Sequence, residues 1–230
     1  MGKNLIQQAR GKGSPTYRAP SFRYITKVSY PRDLRAGNVI DLVRCQGHSS
    51  PLAKIKYESG EESYIIAAHG IKIGQNIGEE PMPGNVLYLK DVPIGTSIFN
   101  IELRPGDGGK FVRGSGCFAK VVFKKTNAVE VLLPSKKKKV FSSDCKATVG
   151  VCAGSGRKEK PFLKAGTRYH YMKSRNKLYP STSGIAMNAV DHPYGTSRSS
   201  KKGHPTIARK NAPPGAKVGK IRPRRTGYQR

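Results

Sequence analysis

The last third of the chain limits its folding most severely: residues 157–230 hold 19 Lys and Arg against only Glu159 and Asp191, a surplus of +17. Apolar side chains are sparse there, and Gly, Pro and Ser recur in stretches such as SRSSKKGHP and APPGAKVGKIRPRRTGYQR. Such a composition cannot bury enough apolar area to offset the entropy of ordering the chain. Residues 157–230 therefore read as an extended basic tail that orders on a polyanion. Residues 1–30 repeat the theme with six basic side chains and no acid, a basic N-terminal arm. Between them, residues 31–156 carry 18 basic and 12 acidic side chains, a milder surplus of +6 in a net charge of +29.

Nucleic acid is the partner that suits this charge, because Lys and Arg displace condensed counterions from its phosphates. A membrane suits it less. No run of about 18 apolar residues is present to span a bilayer, and the tail lacks the periodic Leu, Phe or Trp of an interfacial helix. MGKNLIQQARGKG has no apolar core of a secretory signal, so a cytoplasmic location is expected. The four cysteines, Cys45, Cys117, Cys145 and Cys152, form no C-x-x-C pair. Reduced, partly buried thiols are favoured about four to one over a metal site or a disulfide framework. No metal and no cofactor are expected.

The central segment reads as short strands between Gly, Pro, Asn and Asp signals, with little helical periodicity. The expected strands are Gly37–Cys45, Pro51–Tyr57, Glu62–Ala67, Asn85–Tyr88, Ser97–Ile101, Cys117–Lys124, Ala128–Leu132, Lys138–Phe141 and Ala147–Cys152. The connection IGEEPMPGN places a division near Gly84, giving two small β-barrels over 31–84 and 85–156. Closure removes exposed sheet edges, and an OB-type barrel also presents loops and a strand face to nucleic acid. Barrels of roughly 60 residues bury only about 60% of their unfolded surface, so RNA is expected to supply part of the stability.

Several motifs carry competing readings. The loop RPGDGGKFVRGSG, with Lys110 and Arg113, suits close approach of backbone amides to phosphate and equally a wide turn, two readings that are compatible. It is no Walker loop, because Arg104 and Phe111 stand where that motif needs Gly and Ser or Thr. In the arm, Arg10, Lys12, Arg18 and Arg23 alternate with Tyr17, Phe22 and Tyr24, which suits stacking on bases or anchoring to the body. Lys136–Lys139 form either a solvated turn or a phosphate contact. In GIAMNAVDHPYG, Asp191 and His192 are adjacent and poorly arranged for a catalytic dyad, and Ser181 and Ser183 lack a nucleophile-elbow context. Contacts to RNA outweigh catalysis there, and no enzyme is expected. A DNA-architectural protein remains the rival that charge alone permits.

PGDGGK, KATVGVCAGSGR, KPFLKAG, GIAMNAVDHPYG and NAPPGAKVG occur in this order. Together they closely resemble the universal large-subunit ribosomal protein L-two family in its archaeal form. The likeness runs from LIQQARGKGSPTYRAP to RRTG. It implies a mainly β fold, an OB-fold barrel followed by an SH3-like barrel, with extended basic N- and C-terminal arms threaded into large-subunit rRNA. It further implies a primary rRNA-binding role near the peptidyl transferase centre, with effects on subunit association, tRNA binding and peptide bond formation. Neighbouring ribosomal proteins and a bridge to the small subunit are implied partners, with no small-molecule substrate and no membrane. For His192 the likeness implies an organising contact with rRNA.

The rRNA-binding residues expected are Lys3, Arg10, Lys12, Tyr17, Arg18 and Arg23 in the arm, and Lys110 and Arg113 in the glycine loop. In the tail they are Arg157, Lys160, Lys164, Arg168, His170, Lys173, Arg175, Lys177, Asn188, Asp191, His192, Arg198, Lys201, Lys202, Arg209, Lys210, Lys217, Arg224 and Arg225. Four places depart from the family pattern, one of them the turn RCQGHSSPLA, which carries less charge than the related loop. Ser183 stands where Arg is common, Thr196 and Ser197 follow Gly195 instead of a glycine run, and Tyr179 replaces a usual Trp.

Overall fold

The computed structural model describes residues 6–18, 21–78, 80–195, 205–213 and 215–220. The chain forms two compact units, one of residues 21–163 and one that joins residues 1–20 to 164–230. Lys3, Arg198, Lys201, Lys202, Arg224 and Arg225 lie outside the described residues.

The unit of residues 21–163 is mainly β, an OB-type sheet followed by an SH3-like one. In the first sheet, β1 (Gly37–Val43) pairs antiparallel with β2 (Leu52–Tyr57), β2 with β3 (Glu62–Ile66), and β4 (Asn76–Ile77) closes on β1. The β2–β3 hairpin turns at Gly60, whose φ of +82° is open to glycine without strain. A register shift between Val39 and Asp41 bends β1 and leaves Asp41 exposed like Ile40, where strict alternation from the buried Val39 would have turned it inward. The second sheet runs β5 (Val86–Tyr88), β10 (Lys146–Val149), β6 (Ser97–Phe99), β7 (Ala119–Lys124), β8 (Ala128–Leu132) and β9 (Lys138–Ser142) in spatial order. β9 is thus an edge strand.

All nine expected strands are present, with ends displaced by no more than three residues. The two-residue β4 went unread because so short a pairing carries no periodicity.

Each sheet covers its own core, Val39, Ala53, Ile55 and Ile65 in the first and Leu89, Val92, Ile98, Val121 and Val129 in the second. A third cluster draws on both: Val28, Cys45, Leu52, Ile66 and Ala68 pack with Phe99 and Cys152. The segment after β10 returns to the first sheet, where the His69 amide donates to the Val151 carbonyl at 2.7 Å and the Ala153 amide to the Ala67 carbonyl at 3.0 Å. The sheets are joined by a shared core as well as by the chain. Burying a side chain the size of Phe99 contributes about 1.5–3 kcal/mol.

Polar groups tie the N-terminal strap to this core. The Tyr30 hydroxyl donates to the Asn100 carbonyl at 2.7 Å and meets Thr148 Oγ1 at 2.6 Å, and burial pushes its titration well upward. Lys146 Nζ donates to the carbonyls of Pro31, at 2.8 Å, and Arg32. All four cysteines are free thiols, and burial raises Cys145 to about 11.

The other unit holds little β-structure beyond a parallel bridge of Ile207 to Lys220, and its apolar cluster is Tyr194 and Val218 with Ile185 against them. It contains α1 (Ile6–Lys12) and α2 (Ala165–Lys173). Within the extended tail read from the sequence, the structure adds a nine-residue helix that the sequence reading did not place. No residue of α2 is buried, so the helix left no apolar stripe in the pattern. Its end is a Schellman motif: Asn176 sits at φ +52°, its amide donates to the Lys173 carbonyl at 3.1 Å, and the Lys177 amide donates to the Met172 carbonyl at 3.0 Å. No helix among the described residues is long and apolar enough to cross a membrane.

Candidate nucleic-acid interface

The glycine loop between β6 and β7 closes around carboxylates of its own. Glu102 is fully buried and accepts hydrogen bonds from the amides of Gly106 at 3.2 Å, Gly108 at 3.0 Å and Lys146 at 2.8 Å. Asp107 accepts from Leu103 and Arg104 at one oxygen and from Gly109, at 3.1 Å, at the other. A Cβ on Gly109, at φ +93°, would stand 2.4 Å from Asn100 Oδ1. Glycine is required there by the close approach of Asn100 and by the positive φ. The amides of Gly106, Gly108 and Gly109 therefore face carboxylate within this turn. Lys110 remains exposed, and Arg113 donates to the Gly109 carbonyl at 3.2 Å.

The aromatic residues of the N-terminal segment divide between the two roles open to them. Tyr24 packs against the shared core, so close to Gly47 that a Cβ there would come within 2.5 Å of the ring. Phe22 is 83% exposed, with the Arg23 guanidinium 5.5 Å from its centroid. Tyr24 anchors, while Phe22 is presented. On β9, Lys139 lies 4.0 Å over the Phe111 ring, and Lys138 faces Glu130 at 3.7 Å. In the same unit Arg157 Nε donates to Ser115 Oγ at 3.1 Å, and Lys160 is exposed.

The unit built from the two chain ends concentrates the charge, with 20 basic side chains against the single acid Asp191. Arg10, Lys12, Arg18, Lys164, Arg168, His170, Lys173, Lys177, Arg209, Lys210 and Lys217 are exposed, and Tyr17 and Arg175 are half-buried. Around α2 the cations lie on aromatic faces: Arg168 is 5.3 Å from the Tyr179 centroid, Lys173 is 6.0 Å from Tyr169, and Arg175 is 4.0 Å from Tyr171. Sequence reading missed Tyr169, Tyr171 and Tyr179 as partners. The spacing of Tyr171 and Arg175, one helical turn apart, was the available signal.

His192 is 8% exposed, placed inside its turn instead of on the surface. Its Nδ1 accepts the Tyr194 amide at 3.0 Å, so the neutral ring carries its proton on Nε2. Burial lowers its titration below the ordinary histidine value. Gly184 permits this seat, because a Cβ there would come 2.4 Å from the His192 ring, and Gly195 passes so near Asn188 that a Cβ would be 2.2 Å from its carbonyl oxygen. Asn188 is exposed and Asp191 half-buried. His192 and Tyr194 pack at 5.1 Å, and the Tyr194 hydroxyl donates toward the carbonyls of Pro205 and Val218. The histidine braces a turn that holds the segment around residue 218.

Residues 82–215 match the family described as Ribosomal Proteins L2, C-terminal domain. Over 237 residues, and the whole of both chains, the sequence is 47% identical to the large ribosomal subunit protein uL2 of Archaeoglobus fulgidus. It is 45% identical over 242 residues to that of Methanocaldococcus jannaschii, again across all of both chains. To that of Methanopyrus kandleri it is 42% identical over 238 residues, covering 99% of this chain and 98% of the relative.

Proposed function

The chain belongs to the L2 family of ribosomal proteins in its archaeal form, and from that premise we propose that it is a primary rRNA-binding protein of the large subunit whose basic unit orders RNA near the peptidyl transferase centre. The observation that carries this reading is the contrast between one unit with 20 cations, one acid and a small apolar cluster among its described residues, and a second unit with ample core and a milder charge. A surface of that kind gains its order and its affinity together, from phosphates. Arg10, Lys12, Arg18, Arg168, Lys173, Lys177, Arg209, Lys210 and Lys217 neutralise backbone, joined by Lys110 and Arg23 from the β-rich unit. His192 acts by shaping the loop that presents Asn188.

In this reading the β-rich unit docks on rRNA and on neighbouring ribosomal proteins, and the chemistry of peptide bond formation belongs to RNA. Support for subunit association and tRNA binding follows from stabilising the RNA around the centre. The protein then resides on ribosomes in the cytoplasm. Sedimentation of cell extract at low salt tests it: the protein should travel with large subunits, and its confinement to free soluble fractions would overturn the reading. Binding to rRNA fragments and to duplex DNA at matched salt should favour rRNA.

A further inference from the structure

In the basic unit, α1 and the capped end of α2 enclose a cleft of about 480 Å³ lined by Arg10, Tyr171, Met172, Arg175, Lys177 and Leu178. Its volume falls in the range that holds a small organic group, roughly 300–1,000 Å³. Three features fix the chemistry. The Arg175 guanidinium lies over the Tyr171 ring, 4.0 Å from its centroid, so the ring backs the planar cation and a nucleobase can stack on the guanidinium's outer face. Met172 and Leu178 supply apolar walls for the faces and edges of a ring. Arg10 and Lys177 add two further cations at the rim, and no carboxylate among the described residues lines the cleft.

The local fold explains why these groups converge. The Schellman motif reverses the chain after α2, so Lys177 and Leu178 return beside Met172 instead of continuing away along the helix axis. The same bonds satisfy carbonyls at the helix end, which otherwise would repel an anion placed there. A planar group with an attached phosphate matches all of this. A base held in a duplex does not, because both of its faces are already stacked.

We propose that this cleft binds one unstacked nucleotide of RNA, its base on the Tyr171 and Arg175 surface and its phosphate between Arg10 and Lys177. The proposal rests on the rRNA-binding reading and narrows it to a single-stranded or bulged element. Nothing in it requires the cleft to read a particular base.

The test uses the full chain and two hexanucleotide RNAs, one intact and one with a single abasic site at its centre, with free adenosine monophosphate as a third probe. At a salt concentration that suppresses the phosphate contribution, the intact strand should bind about 5- to 150-fold more tightly than the abasic one. Tyr171→Ala should erase that preference, and Tyr171→Phe should keep it. Arg175→Lys, which keeps the charge and loses the planar group, should also reduce the preference while leaving the slope of affinity against salt unchanged. Equal binding of intact and abasic strands by the unmodified protein overturns the proposal, as does full retention of the preference in Tyr171→Ala. Adenosine monophosphate binding as tightly as the hexamer would assign the cleft to a free nucleotide and overturn its place in RNA. Failure of the full chain to bind any of the RNAs would instead sink the rRNA-binding reading beneath it.

Discussion

The two units of this chain solve the same problem by opposite means. Residues 21–163 carry 23 basic and 13 acidic side chains and three clusters of buried apolar residues, and they even hold Glu102 wholly inside. The unit of chain ends carries 20 basic side chains against one acid, and the buried members of its apolar cluster are Tyr194 and Val218. The first satisfies its own anions and folds on its own core. The second has left its cations to be satisfied by something else, and it holds its shape with backbone turns and cation–aromatic contacts.

If that division is real, the two units should fail separately. The largest effect should come from ending the chain at Leu163. Every phosphate that the shortened protein leaves unneutralised takes roughly 0.7–0.9 from the log–log slope of RNA affinity against salt, so six of them lower it by about 4 to 5. Titration at several salt concentrations measures this, and an unchanged slope would break the comparison. Next, Phe99→Ala removes a fully buried ring from the shared core and should cost about 3–5 kcal/mol, visible as a lower melting temperature. Its effect on the salt slope should be nil.

A smaller loss, ~2–3 kcal/mol, is expected for Glu102→Ala, which strands the buried amides of Gly108 and Lys146 and also frees the more exposed Gly106 amide. That variant sharpens the comparison as well, since a steeper salt dependence in it would mean that the freed amides bind phosphate. The smallest effect concerns pH. His192 titrates below its ordinary value of 6.5 when folded, so the turn is at full strength above that value and loses stability as pH falls through it toward the folded value. The protection factor of the Tyr194 amide, its exchange rate relative to an unstructured amide at the same pH, should fall between pH 7 and pH 5, while those of β2 and β7 hold.

Much of the β-rich unit was legible in the sequence because strands bounded by glycine and proline announce themselves by alternation. Glu102 was not. In the sequence it looks like an ordinary residue at a strand end, and only folding shows that the glycines after it exist to reach its carboxylate. The basic unit was legible in charge and not in shape. α2 buries nothing, so it wrote no stripe, and the meeting of Arg10 with residues 171–178 spans more than 150 positions, a separation that no local pattern encodes. His192 was singled out correctly as unusual, but its partner, the Tyr194 amide, is a backbone group and invisible in composition.

The edge strand β9 has one more consequence. A sheet whose last strand lies open is a template on which a second copy of the chain can add its own strand. At that edge stand Lys138 and Lys139, with Lys136 and Lys137 in the turn before them. Two such edges brought together would set like charges side by side, so each copy refuses the other while remaining attractive to a polyanion. The lysine run thereby guards the open edge against pairing between copies.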